Sequence, residues 1–265
     1  MFFRLNTLQL GLIVFGIVFG ATLLGMFAGR RLRTHLDALR EPFGVLQAAL
    51  LGLVGLILAF GLTMAVGRYD SRRAAVVDDA NAIGTTYLRA QTLPEPIRGR
   101  SLELLRSYNE TSIRLSETVP GSAGARRAIA DGEQLQRSLW RLGSKAMADQ
   151  PTQSAPRLYI ETLNEMIDMQ TVRVAALNNR VPGAVLAIEV IGAAVALGLL
   201  ALYLSILSRG VITVVLAAAF VSVLLLITFD LDRPTRGLVR ISDAPLIAQR
   251  ASMALPPAAP PPPAP

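Results

Sequence analysis

VPGAVLAIEVIGAAVALGLLALYLSILS, residues 181–208, decides what kind of chain this is. It runs for 28 residues with a single charge, Glu189, and it is apolar on every side. An α-helix needs about 20 apolar residues to cross a hydrocarbon core of about 30 Å. A helix without a polar stripe has no side to offer to water, and that is what lipid demands. Three more stretches read the same way. Residues 5–29 and 42–67 carry no charge, and residues 210–229 follow the quoted stretch after a tight turn at Ser208-Arg209-Gly210. Gly210 suits a left-handed helix end, so the last two spans are expected to be antiparallel neighbours. The run 5–29 is too long for a signal-peptide core and lacks a small-residue cleavage cue before Arg30, so it reads as an uncleaved span.

The rest of the composition agrees. Of 265 residues, 52% are hydrophobic and 17% charged, with a mean hydropathy of +0.46. Soluble domains carry about a quarter charged residues. There is no cysteine and one histidine, His35. Disulfides, thiolate chemistry, Cys-type zinc sites and HExxH sites are therefore excluded. No nucleophile–base pair, P-loop or G-x-S-x-G is present, so neither an enzyme nor a cofactor is expected.

The predicted fold is an all-α integral membrane protein with four spans in two hairpins. The first hairpin covers 5–67, with helices over about 8–28 and 44–67. The second covers 181–232, with helices over about 183–207 and 211–230. Between them, residues 68–180 contain 16 basic and 13 acidic side chains and read as ordinary soluble protein. Pro94-Glu95-Pro96, Pro120-Gly121, Pro151 and Pro156 divide this insert into about four helices, the first continuing the second span into water. Apolar stripes at helical spacing support it: Val76, Ala80, Ile83 and Tyr87; then Leu135, Leu139, Leu142 and Ala146; then Leu163, Met166, Gln170, Val174 and Leu177. His35 reads as a loop residue and Trp140 as a bundle core residue. Residues 233–265 read as a C-terminal segment with a free, extended, proline-rich tail from Leu255.

Basic residues near the span ends set the expected orientation. Arg4, Arg68, Arg72, Arg73, Arg173, Arg180, Arg233, Arg236 and Arg240 fall on one side. Arg30, Arg31, Arg33, Arg40 and Arg209 fall on the other. The balance puts both termini and the bundle in the cytoplasm, with arginine contacting anionic lipid. No basic patch is interleaved with aromatics, so nucleic acid is not an expected partner.

Four features stand out as candidate sites. Glu189 is either a pathway or inter-helix group, or an interface residue reaching headgroups or Arg180. Asp230 and Asp232 lie at the carboxyl end of the fourth span, where the helix dipole disfavours them. They form either a charge clamp with Arg233, Arg236 or Arg180, or an ion site at a pore mouth. Asn81, Thr85 and Arg89 share a polar face with Asp78, either solvated or lining a vestibule, and Gly84 beside them suggests a close helix contact. Gly16-x-x-x-Gly20 and Gly25-x-x-x-Gly29 permit close backbone approach.

Three of these stretches, Asn81-Ala-Ile-Gly-Thr-Thr-Tyr-Leu-Arg89, Asn178-Asn-Arg-Val-Pro182 and Asp230-Leu-Asp-Arg-Pro-x-x-Gly237, resemble the bacterial bestrophin-like membrane protein family. The resemblance covers about residues 5–247. It implies a homo-oligomer, pentameric by the resemblance alone, in the bacterial inner membrane. It also implies passive conduction of inorganic ions through an axial pore lined by the second span, with Asn81, Gly84, Thr85, Tyr87 and Arg89 at the vestibule. Leu53, Leu56, Phe60 and Met64 then offer a hydrophobic constriction, although lipid-facing side chains would look the same. The acidic calcium clasp of animal bestrophins has no counterpart. The alternative is a non-conducting membrane interaction or sensor protein acting through its helical bundle.

Overall fold

The computed structural model describes residues 6–32, 40–207, 210–233, 235 and 237–259. The expectations for Arg4, Arg33, His35, Ser208, Arg209, Pro234, Arg236 and the tail end 260–265 lie outside the described residues. Eight helices, and no strand among the described residues, make up the chain: α1 (Thr7–Leu32), α2 (Arg40–Ala90), α3 (Ile97–Glu117), α4 (Ala123–Asp149), α5 (Ser154–Asn178), α6 (Gly183–Ile206), α7 (Val211–Leu231) and α8 (Ala244–Met253). Four of them are long and apolar enough to cross a membrane: α1, the first part of α2, α6 and α7. The chain is a multi-pass, all-α membrane protein. Two compact units result, residues 1–69 with 180–240 and residues 70–179 with 241–265.

In the first unit α1 packs along α6, and α7 packs on both. The core stripe is Leu10, Val14 and Val18 from α1, Ala193, Ala196 and Leu197 from α6, and Ala218 and Leu225 from α7. Lipid tails give helices no hydrophobic reason to associate, so close backbone approach and dispersion carry the contact. Gly25 and Gly29 supply it. A Cβ on Gly25 would overlap the Gly198 carbonyl, and one on Gly29 would overlap that of Leu202. A Cβ on Gly16 or Gly20 would meet none of the described residues of another helix within 4 Å. Among the described residues, the second of the two small-residue pairs makes a close helix contact and the first does not. Gly210 adopts φ +84 and opens α7, the left-handed backbone expected there.

The second unit is built by the remainder of α2 with α3, α4, α5 and α8. The three predicted apolar stripes are largely buried: Val76, Ala80, Ile83 and Tyr87 meet Leu139, Ala146, Leu163 and Met166 in one core. Ser122 caps α4, its Oγ accepting from the Ala125 N–H at 3.1 Å. Tyr108 donates to Gln170 at 3.0 Å, and Gln136 donates to both. Burial pushes the Tyr159 hydroxyl up to about 12, while the Ser101 hydroxyl beside it pulls the other way without a well-formed hydrogen bond.

Several expectations need correcting. Trp140 is 39% exposed and is not a core residue, because Gln136, Leu139 and Gly143 take the inward positions of α4. Arg72, Arg173 and Arg233, counted above as charges at the membrane surface, are buried. Arg72 donates to the carbonyls of Ala176 (3.2 Å) and Asn179 (2.7 Å), where α5 runs out of its own N–H partners. Arg173 meets Asp79 at 2.6 Å. Three of the nine arginines favouring one side are thus spent inside the protein, and the charge argument for orientation thins to near parity.

The stretch after residue 240 also differs from expectation. It forms α8, packed on α3. The Met253 carbonyl, in the last turn of α8, accepts from Tyr87 (3.0 Å) and Arg106 (3.1 Å). The proline-rich tail is not free at its start, since Gln91 Oε1 accepts from the N–H groups of Ala258 and Ala259.

Candidate functional site

Glu189 lies in phase with Leu186, Ala193, Ala196 and Leu197, so the helical repeat of α6 turns it inward. Its exposure is 0%. The carboxylate rests on Gly61 of α2, where any Cβ would overlap it, and neither oxygen has a hydrogen-bond partner among the described residues. The geometry is that of an inter-helix group and does not suit one reaching for headgroups. Glu189 is the seventh of the 24 residues of α6, about 9 Å along the helix and short of the middle, where a charge costs about 2.5–3.5 kcal/mol on insertion scales.

Gly61 belongs to the inward face of α2 with Val54, Leu58 and Ala65. Val54 also packs under Gly192, 3.3 Å from the position its Cβ would take. The outward face carries Leu53 (54% exposed), Leu56 (54%) and Phe60 (63%). Met64 is half-buried between the two faces. Leu53, Leu56 and Phe60 are left uncovered by the described residues.

At the end of α7, Asp230 and Asp232 are both buried. Asp230 accepts from the Val239 N–H at 2.9 Å and from Thr7 at 3.4 Å. A Cβ on Gly237 would stand 2.7 Å from Asp230 Oδ2, so a larger residue where the chain folds back would displace the carboxylate. Asp232 accepts from the Val181 N–H at 3.0 Å, just ahead of α6. Two carboxylates at the unfavourable end of a helix are thus held in part by backbone donors, besides any cation. Arg233 is buried beside them and Arg180 half-buried. No group of three or more metal-ligating side chains occurs among the described residues.

The 81–89 stretch divides by helix face. Asn81 and Thr85 are exposed. Gly84 lies under Gln249 of α8, with 2.5 Å from its would-be Cβ to Oε1. This is the close contact its presence in a helix suggested. Thr86 donates to the Thr162 carbonyl at 3.0 Å, and Arg89 to that of Leu158 at 2.7 Å. Asn81, Gly84, Thr85 and Gln91 border an open cleft of about 380 Å³ whose other wall is α8 and the start of the tail.

The sequence reading missed the most buried polar pair of this unit, Asp79 with Arg173. Arg173 also donates to the Ser112 carbonyl (2.9 Å) and to Ser116. A signal existed. Asp79 falls in phase with Val76 and Ile83, and Arg173 with Met166 and Gln170, so each charge sits on an apolar stripe. Burial pushes the Asp79 carboxyl up, and the Arg173 guanidinium opposes that.

The family model described as Bestrophin-like domain matches residues 13–246. Among solved structures, a bacterial bestrophin homolog from Klebsiella pneumoniae superposes with a TM-score of 0.64 at 14% identity, over 89% of this chain and 94% of that one. A point variant of a homolog from that organism gives 0.63 at 15%, over 89% and 96%. Another crystal structure of a membrane protein gives 0.64 at 16%, over 91% and 95%. Comparison with curated proteins found no match. These structural likenesses show the fold, and the match over most of the sequence shows the kinship: the chain belongs to the bestrophin-like family.

Proposed function

We propose that this chain assembles into a homo-oligomeric ion channel of the bacterial inner membrane, passing inorganic ions through an axial pore lined by α2. One observation carries the reading. The outward face of α2, with Leu53, Leu56 and Phe60 more than half exposed, is left uncovered by a helix whose opposite face is packed on α6. In a ring of copies with α2 innermost, these side chains make the narrow apolar stretch of the axis, and Asn81 and Thr85 supply polar groups on the same helix. The fold shared with a bestrophin homolog supports the assembly.

The test is mass and symmetry in mild detergent, then ion flux from liposomes. A closed ring that passes ions, with flux raised severalfold by Phe60→Ala, is the expected result. A monomer that passes none overturns it. That outcome favours a non-conducting interaction or sensor protein, for which the cleft beside Asn81 and Gln249 is the supporting observation.

The same reading puts both termini and the bundle in the cytoplasm. The chain has no native cysteine, so Ser122→Cys gives a single reporter. An impermeant maleimide is expected to label it in inverted vesicles and not in intact cells. Labelling in intact cells reverses the orientation.

A further inference from the structure

We propose that Glu189 is a proton-binding site between α6 and α2, seated on Gly61, and that loss of its proton releases that helix contact. The proposal rests on packing and is independent of whether the oligomer conducts.

The first step is the seat. Glycine at position 61 leaves a notch in α2, and the Glu189 carboxyl fills it so closely that no Cβ fits beside it. The side chain is fully buried and both its oxygens lack donors among the described residues. A carboxylate in that position has given up water and received nothing, whereas the neutral acid loses far less by the same transfer. The ligand that fits is therefore a proton. Magnesium and calcium need six or more oxygens around them. This seat supplies two, and no acidic or histidine cluster occurs among the described residues.

The second step is what surrounds it. Every helix packed near Glu189 is free of other charge through its apolar length: residues 7–29 of α1, 42–67 of α2 and 211–229 of α7, while α6 has only Glu189. The ionisable groups lie at helix ends. They are Arg30 and Arg31 on α1, Arg40 and Glu41 at the start of α2, Arg180 ahead of α6 with Tyr203 near its far end, and Asp230, Asp232 and Arg233 at the end of α7. On α2 the group that shares the face of Gly61 is Arg68, seven residues and about 10 Å further along. Its Nε has no hydrogen-bond partner. When the O–H bond of Glu189 breaks and its proton passes to water, the carboxylate is drawn out of the notch towards Arg68. The α2–α6 contact then loses the group that fills it.

Infrared difference spectra between the wild-type chain and Glu189→Gln, in detergent over pH 5–9, test the proton directly. The expected result is the C=O band of a neutral carboxylic acid at low and neutral pH, absent in the variant and lost at alkaline pH. Carboxylate bands alone across the whole range overturn the proposal. Release is read by disulfide formation between Val54→Cys and Gly192→Cys, which face each other across the same contact. The rate is taken relative to the same cysteine pair carrying Glu189→Gln at each pH, so that the thiols' own titration cancels. This ratio is expected to fall severalfold as pH rises, and to be low at every pH when Gly61→Ala blocks the notch. A ratio that stays flat with pH refutes the release step.

Discussion

Arg173→Met is expected to destabilise the protein by about 3–5 kcal/mol, lowering its thermal midpoint in detergent by on the order of 10 °C. The Arg173 and Asp79 side chains are 2% and 0% exposed and meet at 2.6 Å. Removing the guanidinium strands a carboxylate with no route to water, and it also frees the Ser112 carbonyl and Ser116 that Arg173 holds. Breaking a buried pair costs far more than never having built one, so a double variant, Asp79→Leu with Arg173→Met, should recover much of the loss.

The deficit of the single variant also depends on pH. Without Arg173 the burial that already pushes Asp79 up acts unopposed, so its folded value lies above the unfolded value of about 3.9. The unfolded chain then releases its proton first as pH rises, and stability falls over that interval. The deficit is therefore smallest in acid, where Asp79 is protonated in both proteins, and grows as pH rises above the already raised folded value of Asp79 in the wild-type chain. A deficit independent of pH, or a double variant no better than the single, would refute this account of the pair.

The second large effect is at the crossing of α1 and α6. Gly25→Leu is expected to abolish most folded, monodisperse protein. Overpacking a core usually costs about 1–3 kcal/mol because side chains can shift. Here the obstacle is the Gly198 carbonyl, which belongs to a helix backbone and cannot rotate away. The two helices must part, and the core stripe of Leu10, Val14 and Val18 parts with them. Gly16→Leu is the control. With none of the described residues of another helix within 4 Å of its Cβ, it should leave the fold of each chain intact. Size-exclusion profiles and helicity after solubilisation compare the two. Equal behaviour of Gly25→Leu and Gly16→Leu would show that the Gly25 crossing does not hold the spans together.

The sequence by itself determined the class of the molecule. Four runs of apolar residues can only be helices in lipid, because no other local structure satisfies a segment's own backbone there. It also determined the inward faces of the bundle, since the spacing of Val76, Ala80, Ile83 and Tyr87 depends on the helix repeat and not on the partner. It marked the special points: Glu189 inside a span, Gly84 inside a helix, the carboxylates at 230 and 232.

Tertiary structure decided everything that depends on which helix meets which. Arginine near a span end reads the same whether it faces water or a helix end, and only packing sent Arg72 to the carbonyls at the end of α5. Two identical glycine spacings in α1 carry no local difference, yet one meets the backbone of α6 and the other meets none of the described residues of another helix. Trp140 turned outward because neighbours with better phase took the core. A tail of proline and alanine has no periodicity to read, so its hold on Gln91 emerged only in three dimensions. The notch under Glu189 has the same origin. It is formed by a glycine more than a hundred residues away, and no local rule joins the two.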